Sequence, residues 1–329
     1  MTVSGTVVLE CGPGQGHALR VGGLSVLERR VRELAKEGCE RVVVTGCAER
    51  EVAFPRPLPI PVEYAAAAPQ GAPRQRADVL RGIQIVDEAT RRAAERKLVR
   101  GSNKSFEGPV DALITWRFSN PITRALAQRS LALVPNHVTL VAIAIGACAC
   151  ALAATAHDYL GFALAGLLLQ TNSILDTVDG ELARLRYQYS RLGQWLDNVS
   201  DDVIDNLFIL SVGNALGGPW QWAALLGAGG RLTVAVYTYV SVYRATGTGD
   251  VFAFRWWFER DKATADDLYD PLALTTWLRS LGRRDTYVFC WAVACLVGVP
   301  HWVAVHGAVI GAVQLSLLVL HHTLGRRAR

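Results

Sequence analysis

The sequence predicts a mainly α membrane protein, with six transmembrane helices, an interfacial amphipathic helix and a small α/β cytosolic domain at the N-terminus. Three observations predict it. Of 329 residues 51% are hydrophobic, yet the charge is concentrated in the first third and in a few later segments, which is not how one globular core is composed. Apolar stretches long enough, at about 20 residues, to cross a bilayer's hydrocarbon begin after about Asn136. They run near 137–156, 159–184, 193–216, 219–243, 285–299 and 301–322. Lys and Arg gather before the first stretch, between the second and third (Arg184, Arg186, Arg191), between the fourth and fifth (Arg244 to Arg284) and after the sixth (Arg326, Arg327, Arg329). The turns at His157-Asp158, Gly217-Gly218 and Val299-Pro300 hold none. Six spans with both termini in the cytosol put every basic segment inside, as the positive-inside rule requires.

The elements follow in order. Thr6 to Glu10 reads as a buried strand, Leu24 to Lys36 as an amphipathic helix ended by Gly38, and Arg41 to Gly46 as a second strand, the opening of an α/β fold. Between strand and helix lies Gly12-Pro13-Gly14-Gln15-Gly16, a loop of the kind that cradles phosphate and weak as a signal alone. Pro55 to Pro73 is a Pro- and Ala-rich connector. Asp78 to Val99 spaces Ile83, Val86, Ala89, Ala93 and Leu98 helically and closes a domain of residues 1–100. Residues 101–135 form a linker, in which Asp111 to Leu131 alternates Arg117, Arg124 and Arg129 with apolar residues, as in a helix lying in the membrane interface. Residues 136–329 form the membrane domain, with Trp116, Trp220, Trp222, Trp256, Trp257 and Trp302 near helix ends or interfacial segments as an aromatic belt. Thr2 to Glu10 has neither the basic start nor the apolar core of a signal peptide.

The run from Asp176 to Asp201 carries the chemistry. It reads Asp176-x-x-Asp179-Gly180-x-x-Ala183-Arg184, eight residues, then Gly193-x-x-x-Asp197-x-x-x-Asp201. Ionised carboxylates at membrane depth are costly unless paired, hydrated or metal-bound. Asp176, Asp179, Gly180 and Ala183 share one helix face, and Gly193, Asp197 and Asp201 share a face of the next, so two acidic faces can meet. Hard oxygen donors from two helices suit Mg²⁺ or Mn²⁺, and a pair of such ions would clamp a pyrophosphate. Gly180 and Gly193 lack a Cβ and so admit a nucleotide close to the backbone. The competing structural reading is a solvated loop or an ion-pair cluster.

At all eight fixed positions this run resembles the CDP-alcohol phosphotransferase (phosphatidyltransferase) superfamily. The resemblance implies six membrane helices around a cytosol-facing site, with Asp176, Asp179, Asp197 and Asp201 as the metal set and Asp201, next to the metal, also as the general base. It further implies nucleotide contacts at Gly180, Ala183, Arg184 and Gly193, and a family-like Pro135-Asn136-x-x-Thr139 opens the first membrane helix, adding Asn136 and Thr139 to that set. A homodimer through membrane helices is a further implication. The reaction expected is transfer of a substituted phosphate from a CDP-diacylglycerol or CDP-inositol donor to an inositol-phosphate-type acceptor with release of CMP. Glycerol phosphate or an amino-alcohol lipid is the alternative acceptor class, and a cation-coupled transporter the alternative function.

Arg191, Arg231 and Arg255 are candidates for an acceptor phosphate, along with Arg244, Arg283 and Arg284. Arg231 falls inside an apolar helix, where it either meets substrate or partners Asp202 or Asp205. The segment from Gly249 to Phe258 resembles inositol-phosphate-linked members. With Gly22-Gly23-Leu24-Ser25-Val26-Leu27-Glu28-Arg29 after the glycine loop, the N-terminal domain is similar to the start of a sugar- or inositol-phosphate nucleotidyltransferase, but it departs from that signature around His17-Ala18 and lacks an Asp in the usual metal context. It reads as a shortened, inactive relic. The net charge of +5 fits anionic lipid headgroups, and no basic run interleaved with aromatics points to nucleic acid. Seven cysteines, with no C-x-x-C and no His at ligand spacing, read as packing residues, Cys148, Cys150, Cys290 and Cys295 within membrane helices.

Overall fold

The computed structural model describes residues 5–12, 14–48, 52, 54–101, 108–129, 133–247, 253–256, 280 and 282–324. They divide into two compact units, one of residues 1–103, 120–133 and 181–188, the other of residues 104–119, 134–180 and 189–329.

The first unit is built on a four-stranded parallel sheet. Strand β1 (Gly5–Glu10) lies between β4 (Cys39–Thr45) and β6 (Arg74–Arg76), and β5 (Val62–Tyr64) edges the sheet beside β4. Val7, Val8 and Leu9 of β1 are wholly buried, as are Val42 and Val44 of β4, which is why these apolar runs pair in parallel beneath a helix. That helix, α1 (Val26–Lys36), buries Val26, Leu27, Val31 and Leu34 on one stripe, each stabilising the unit by about 1.5–3 kcal/mol. It starts two residues later than its pattern suggests. Leu24–Ser25 is strand β3, paired with β2 (Arg20–Val21), and Ser25 caps the helix by accepting from the Glu28 amide at 3.1 Å. Gly38, at φ +93°, turns the chain toward β4.

Two further elements differ from the sequence reading. Residues Asp78 to Val99 do not form one helix: β7 (Val79–Leu80) and β8 (Ile83–Gln84) make a hairpin, and α2 (Glu88–Arg100) begins only after Asp87, whose side chain and Thr90 form a capping box. The Pro- and Ala-rich connector contains β5, and β6 was hidden because Arg74-Gln75-Arg76 has no apolar alternation. The same unit holds most of α3 (Trp116–Arg129), which follows a π-turn at Asp111–Thr115. Its last carbonyls are capped by the buried Arg186 guanidinium, which donates to Leu126 at 3.1 Å, Ala127 at 3.0 Å and Leu133 at 2.5 Å.

The second unit is helical: α4 (Pro135–Ala154), α5 (Tyr159–Arg186), α6 (Arg191–Leu216), α7 (Gly218–Thr246), α8 (Arg284–Leu296) and α9 (His301–Leu324). Pro135 opens α4 in the first turn, where its missing N–H costs nothing. The core gathers Ala149, Leu169, Phe208, Val212, Trp291 and Val303 from different helices. Helices α7 and α9 touch backbone to backbone: a Cβ on Gly230 would lie 2.7 Å from the Gly311 carbonyl oxygen, and one on Gly311 2.5 Å from that of Gly227. Leu226, Val236, Leu160, Val309 and Val319 point outward. By length and composition two described helices, Pro135–Ala154 and His301–Leu324, are apolar enough to cross a membrane. Helices α5 and α6 are as long but carry the acids, and α8, with 13 residues, rises only about 20 Å.

Candidate active site

Helical phase sets the geometry. Asp176 and Asp179 stand one turn apart on α5 and Asp197 on α6, and their carboxylate oxygens lie within 4.8 Å of one another. Asp179 is buried and accepts from the Thr139 hydroxyl of α4 at 2.5 Å, so a third helix orients the group. The set is three hard oxygen donors, the chemistry a small divalent cation requires.

Asp201, one turn beyond Asp197, lies outside that trio. It pairs with Arg284 of α8 at 2.9 Å. The same guanidinium donates to Asp176 at 2.9 Å and to the Asn172 side-chain oxygen at 3.1 Å, and approaches Asp205 at 3.4 Å. Asn172 is itself fixed by donating to the Ala142 carbonyl at 2.8 Å. Arg284 is thus the guanidinium that bridges Asp176 and Asp201, although sequence reasoning had put Arg191, Arg231 and Arg255 ahead of it.

Behind it lies a buried polar chain. Arg231 donates to the Tyr287 hydroxyl at 2.8 Å, that hydroxyl donates to Asp205 at 2.5 Å, and Arg231 and Asp205 stand 3.6 Å apart. The Tyr287 ring also faces the Arg231 guanidinium at 4.6 Å. Of the two readings for Arg231 the structure shows the ion partner, Asp205. Asp202 is held separately, accepting from the Tyr239 hydroxyl at 2.8 Å. Such pairing is what lets charge persist inside an apolar bundle.

The remaining residues fall as follows. Asn136 comes from the start of α4 to the first turn of α6, where a Cβ on Gly193 would meet the Asn136 oxygen at 2.8 Å and the Ser190 hydroxyl at 2.7 Å. Gly193 is therefore required by the chain's own packing, since Ser190 caps α6 by accepting from its amide at 2.8 Å. Gly180 follows Asp179 on α5, and Ala183 and Arg184, both half-buried, lie one turn further along that helix. Arg191 is exposed at the start of α6. Arg255 is exposed in the stretch 253–256, where Phe254 and Trp256 pack on His321. The rest of the Gly249 to Phe258 segment lies outside the described residues.

Residues 132–262, which include the acids of α5 and α6, match the sequence model of the CDP-alcohol phosphatidyltransferase family. That stretch, less than half of the chain, is similar to a CDP-alcohol phosphatidyltransferase domain. It is 28% identical over 211 residues to the bifunctional IPC transferase and DIPP synthase of Aquifex aeolicus, covering 62% of this chain and 42% of that protein. It is 32% identical over 148 residues to the protein of the same description from Thermococcus kodakarensis, 44% of this chain and 32% of the relative. To the archaetidylinositol phosphate synthase of Pyrococcus horikoshii it is 34% identical over 94 residues, 28% of this chain and 46% of the relative. The chain thus spans less than half the length of each of these curated relatives. The domain's name places its chemistry with phosphotransferases, and the acid trio lies inside it.

Proposed function

We propose that this chain is a membrane-embedded phosphotransferase that moves a substituted phosphate from a CDP-alcohol to an acceptor hydroxyl and releases CMP. The observation that carries the reading is the convergence of Asp176, Asp179 and Asp197 within 4.8 Å inside the matched domain. Mg²⁺ or Mn²⁺ held by these carboxylates would draw charge from the bridging phosphates. Asp176, Asp179, Asp197, Asp201, Asp202 and Asp205 gather with the guanidiniums of Arg231 and Arg284, so carboxylates outnumber guanidiniums in this cluster, a surplus that divalent cations would offset.

Asp201 accepts the proton of the acceptor hydroxyl as its oxygen bonds to the β-phosphorus, and the bond from that phosphorus to the oxygen bridging to the α-phosphorus breaks, freeing CMP. Arg284, ion-paired with Asp201, turns its guanidinium to the transferred or acceptor phosphate. Gly180, Ala183 and Arg184 on α5, with Asn136, Thr139 and Gly193, bear on the nucleotide.

Six spans formed by α4 to α9, with the acids near the cytosolic face, are supported by the outward leucines and valines, by the basic segments and by the exposed Trp222 and Trp302. An inositol-phosphate-type acceptor and a CDP-diacylglycerol or CDP-inositol donor are supported by the description of the Pyrococcus relative as an archaetidylinositol phosphate synthase. Purified protein offered CDP-diacylglycerol or CDP-inositol with a panel of alcohols and phosphorylated alcohols tests this by product mass spectrometry. Mg²⁺-dependent CMP release is expected, with inositol phosphate consumed. Absence of CMP with every pair would end the reading, and consumption of glycerol phosphate alone would end the acceptor choice.

A further inference from the structure

The carboxyl edge of the parallel sheet in the first unit collects a second set of ligating side chains. Cys11 follows β1, Cys47 follows β4 after Gly46, and His17 ends the 3-10 turn Gln15–His17 in the glycine loop. Their ligand atoms lie within 4.8 Å of one another, with the two sulfurs 2.7 Å apart. His17 is 3% exposed and the cysteines half-buried. Spacings of six and thirty residues match no familiar metal signature, which is why the sequence reading took the cysteines as packing residues.

Strand order makes the location informative. In the order β5-β4-β1-β6 the chain runs outward one way from β1 and then the other, so the reversal falls beside β1. Ligands of open α/β sheets bind at the carboxyl ends of the strands flanking such a reversal. There the glycine loop is crowded already: a Cβ on Gly12 would stand 2.9 Å from the Arg76 guanidinium and 3.1 Å from the Asp78 carboxylate, two groups locked together by hydrogen bonds of 2.8 and 2.9 Å. What the edge offers a ligand is the soft donor set beside that pair.

We propose that Cys11, Cys47 and His17 form a binding site for a thiophilic divalent cation of the zinc class. Two thiolates and an imidazole match zinc's preferred ligands, and three protein donors leave a fourth position for water or an anion. Loading deprotonates both thiols and parts the sulfurs by about 1 Å, to the separation that Zn–S bonds of about 2.3 Å at a tetrahedral angle require. Both cysteines lie next to glycines, Gly12 and Gly46, in segments beyond the strand ends. A disulfide would use the same two sulfurs but has no need of the imidazole, and it is the competing outcome.

Co²⁺ titration of the full chain, purified in detergent, reduced with a phosphine, stripped with chelator and kept in excess Mg²⁺ to fill oxygen sites, tests the proposal. Expected is a thiolate-to-cobalt charge-transfer band saturating at one Co²⁺ per chain and bleached by Zn²⁺. Cys11→Ser and Cys47→Ser abolish it, His17→Ala weakens binding at least tenfold, and Cys148→Ser leaves it intact. Cys47→His, which keeps a ligand, retains a weaker band and so separates lost ligation from lost folding. A spectrum without charge transfer, indifference to the Cys11 or His17 changes, or a Cys11–Cys47 disulfide peptide in protein purified without reductant overturns the proposal.

Discussion

The two units gather polar side chains in contrasting ways. In the helical unit the donors are carboxylates one or two turns apart, held by Thr139 and faced by Arg284. In the α/β unit they are thiols and an imidazole, brought together by strands that pair across long separations. Helical periodicity is local, so it can assemble a hard-donor site within one stretch of sequence; a sheet edge draws its donors from loops that only the strand order makes neighbours. The contrast extends to electrostatics. In the helical unit three carboxylates converge and one of them, Asp176, shares Arg284 with Asp201, whereas the sheet edge has its Asp78 matched by Arg76.

The comparison can be broken or sharpened by experiment. Asp201→Asn should lower transfer about a thousandfold, the scale of a lost general base, while the thermal melt barely moves. A variant that keeps its rate would remove Asp201 from the chemistry. Chelation should abolish transfer, with recovery on Mg²⁺ or Mn²⁺ addition, and Cys11→Ser should leave that recovery unchanged; a turnover defect in Cys11→Ser would show that the two donor sets are not independent. Arg231→Met strands Asp205 in the bundle and should destabilise the helical unit by about 3–5 kcal/mol, read as earlier thermal unfolding in detergent. Adding Asp205→Asn should recover part of that loss.

The smallest effect concerns acid. Two hydrogen bonds from Arg76 hold the Asp78 carboxyl below its ordinary value of 3.8. A depressed folded value means that the stability contributed is present above about pH 3.8 and is lost as pH falls through the folded value. The exposed Glu88, bonded by Arg91 and Arg92, is drawn down to about 2 and follows the same sign. Hydrogen exchange in β6 to β8, corrected for its intrinsic pH dependence, should accelerate below pH 4 in the native chain, whereas Arg76→Gln should be less protected at neutral pH and lose that acid response; protection independent of pH in that window in the native chain would count against the pairing.

How much was legible follows from the same contrast. The strand at Thr6 to Glu10, the helix to Lys36 and the acid run from Asp176 could be read because each is written in consecutive residues. Strand β6 could not: three charged and polar residues become a strand only because β1 has an open edge. Arg284 was one arginine among many until the fold carried it to Asp176 and Asp201. Asp78 escaped notice as a neighbour of the glycine loop because a hairpin, not a helix, follows it.

The glycine seam between α7 and α9 carries a consequence for biosynthesis. Because α9 is made well after α7, the α7 glycine face must wait without its partner until the ribosome has delivered the later helix. A nascent chain halted before His301 would lack the backbone against which Gly227 and Gly230 pack, so that this close seam forms only once the last helix is complete.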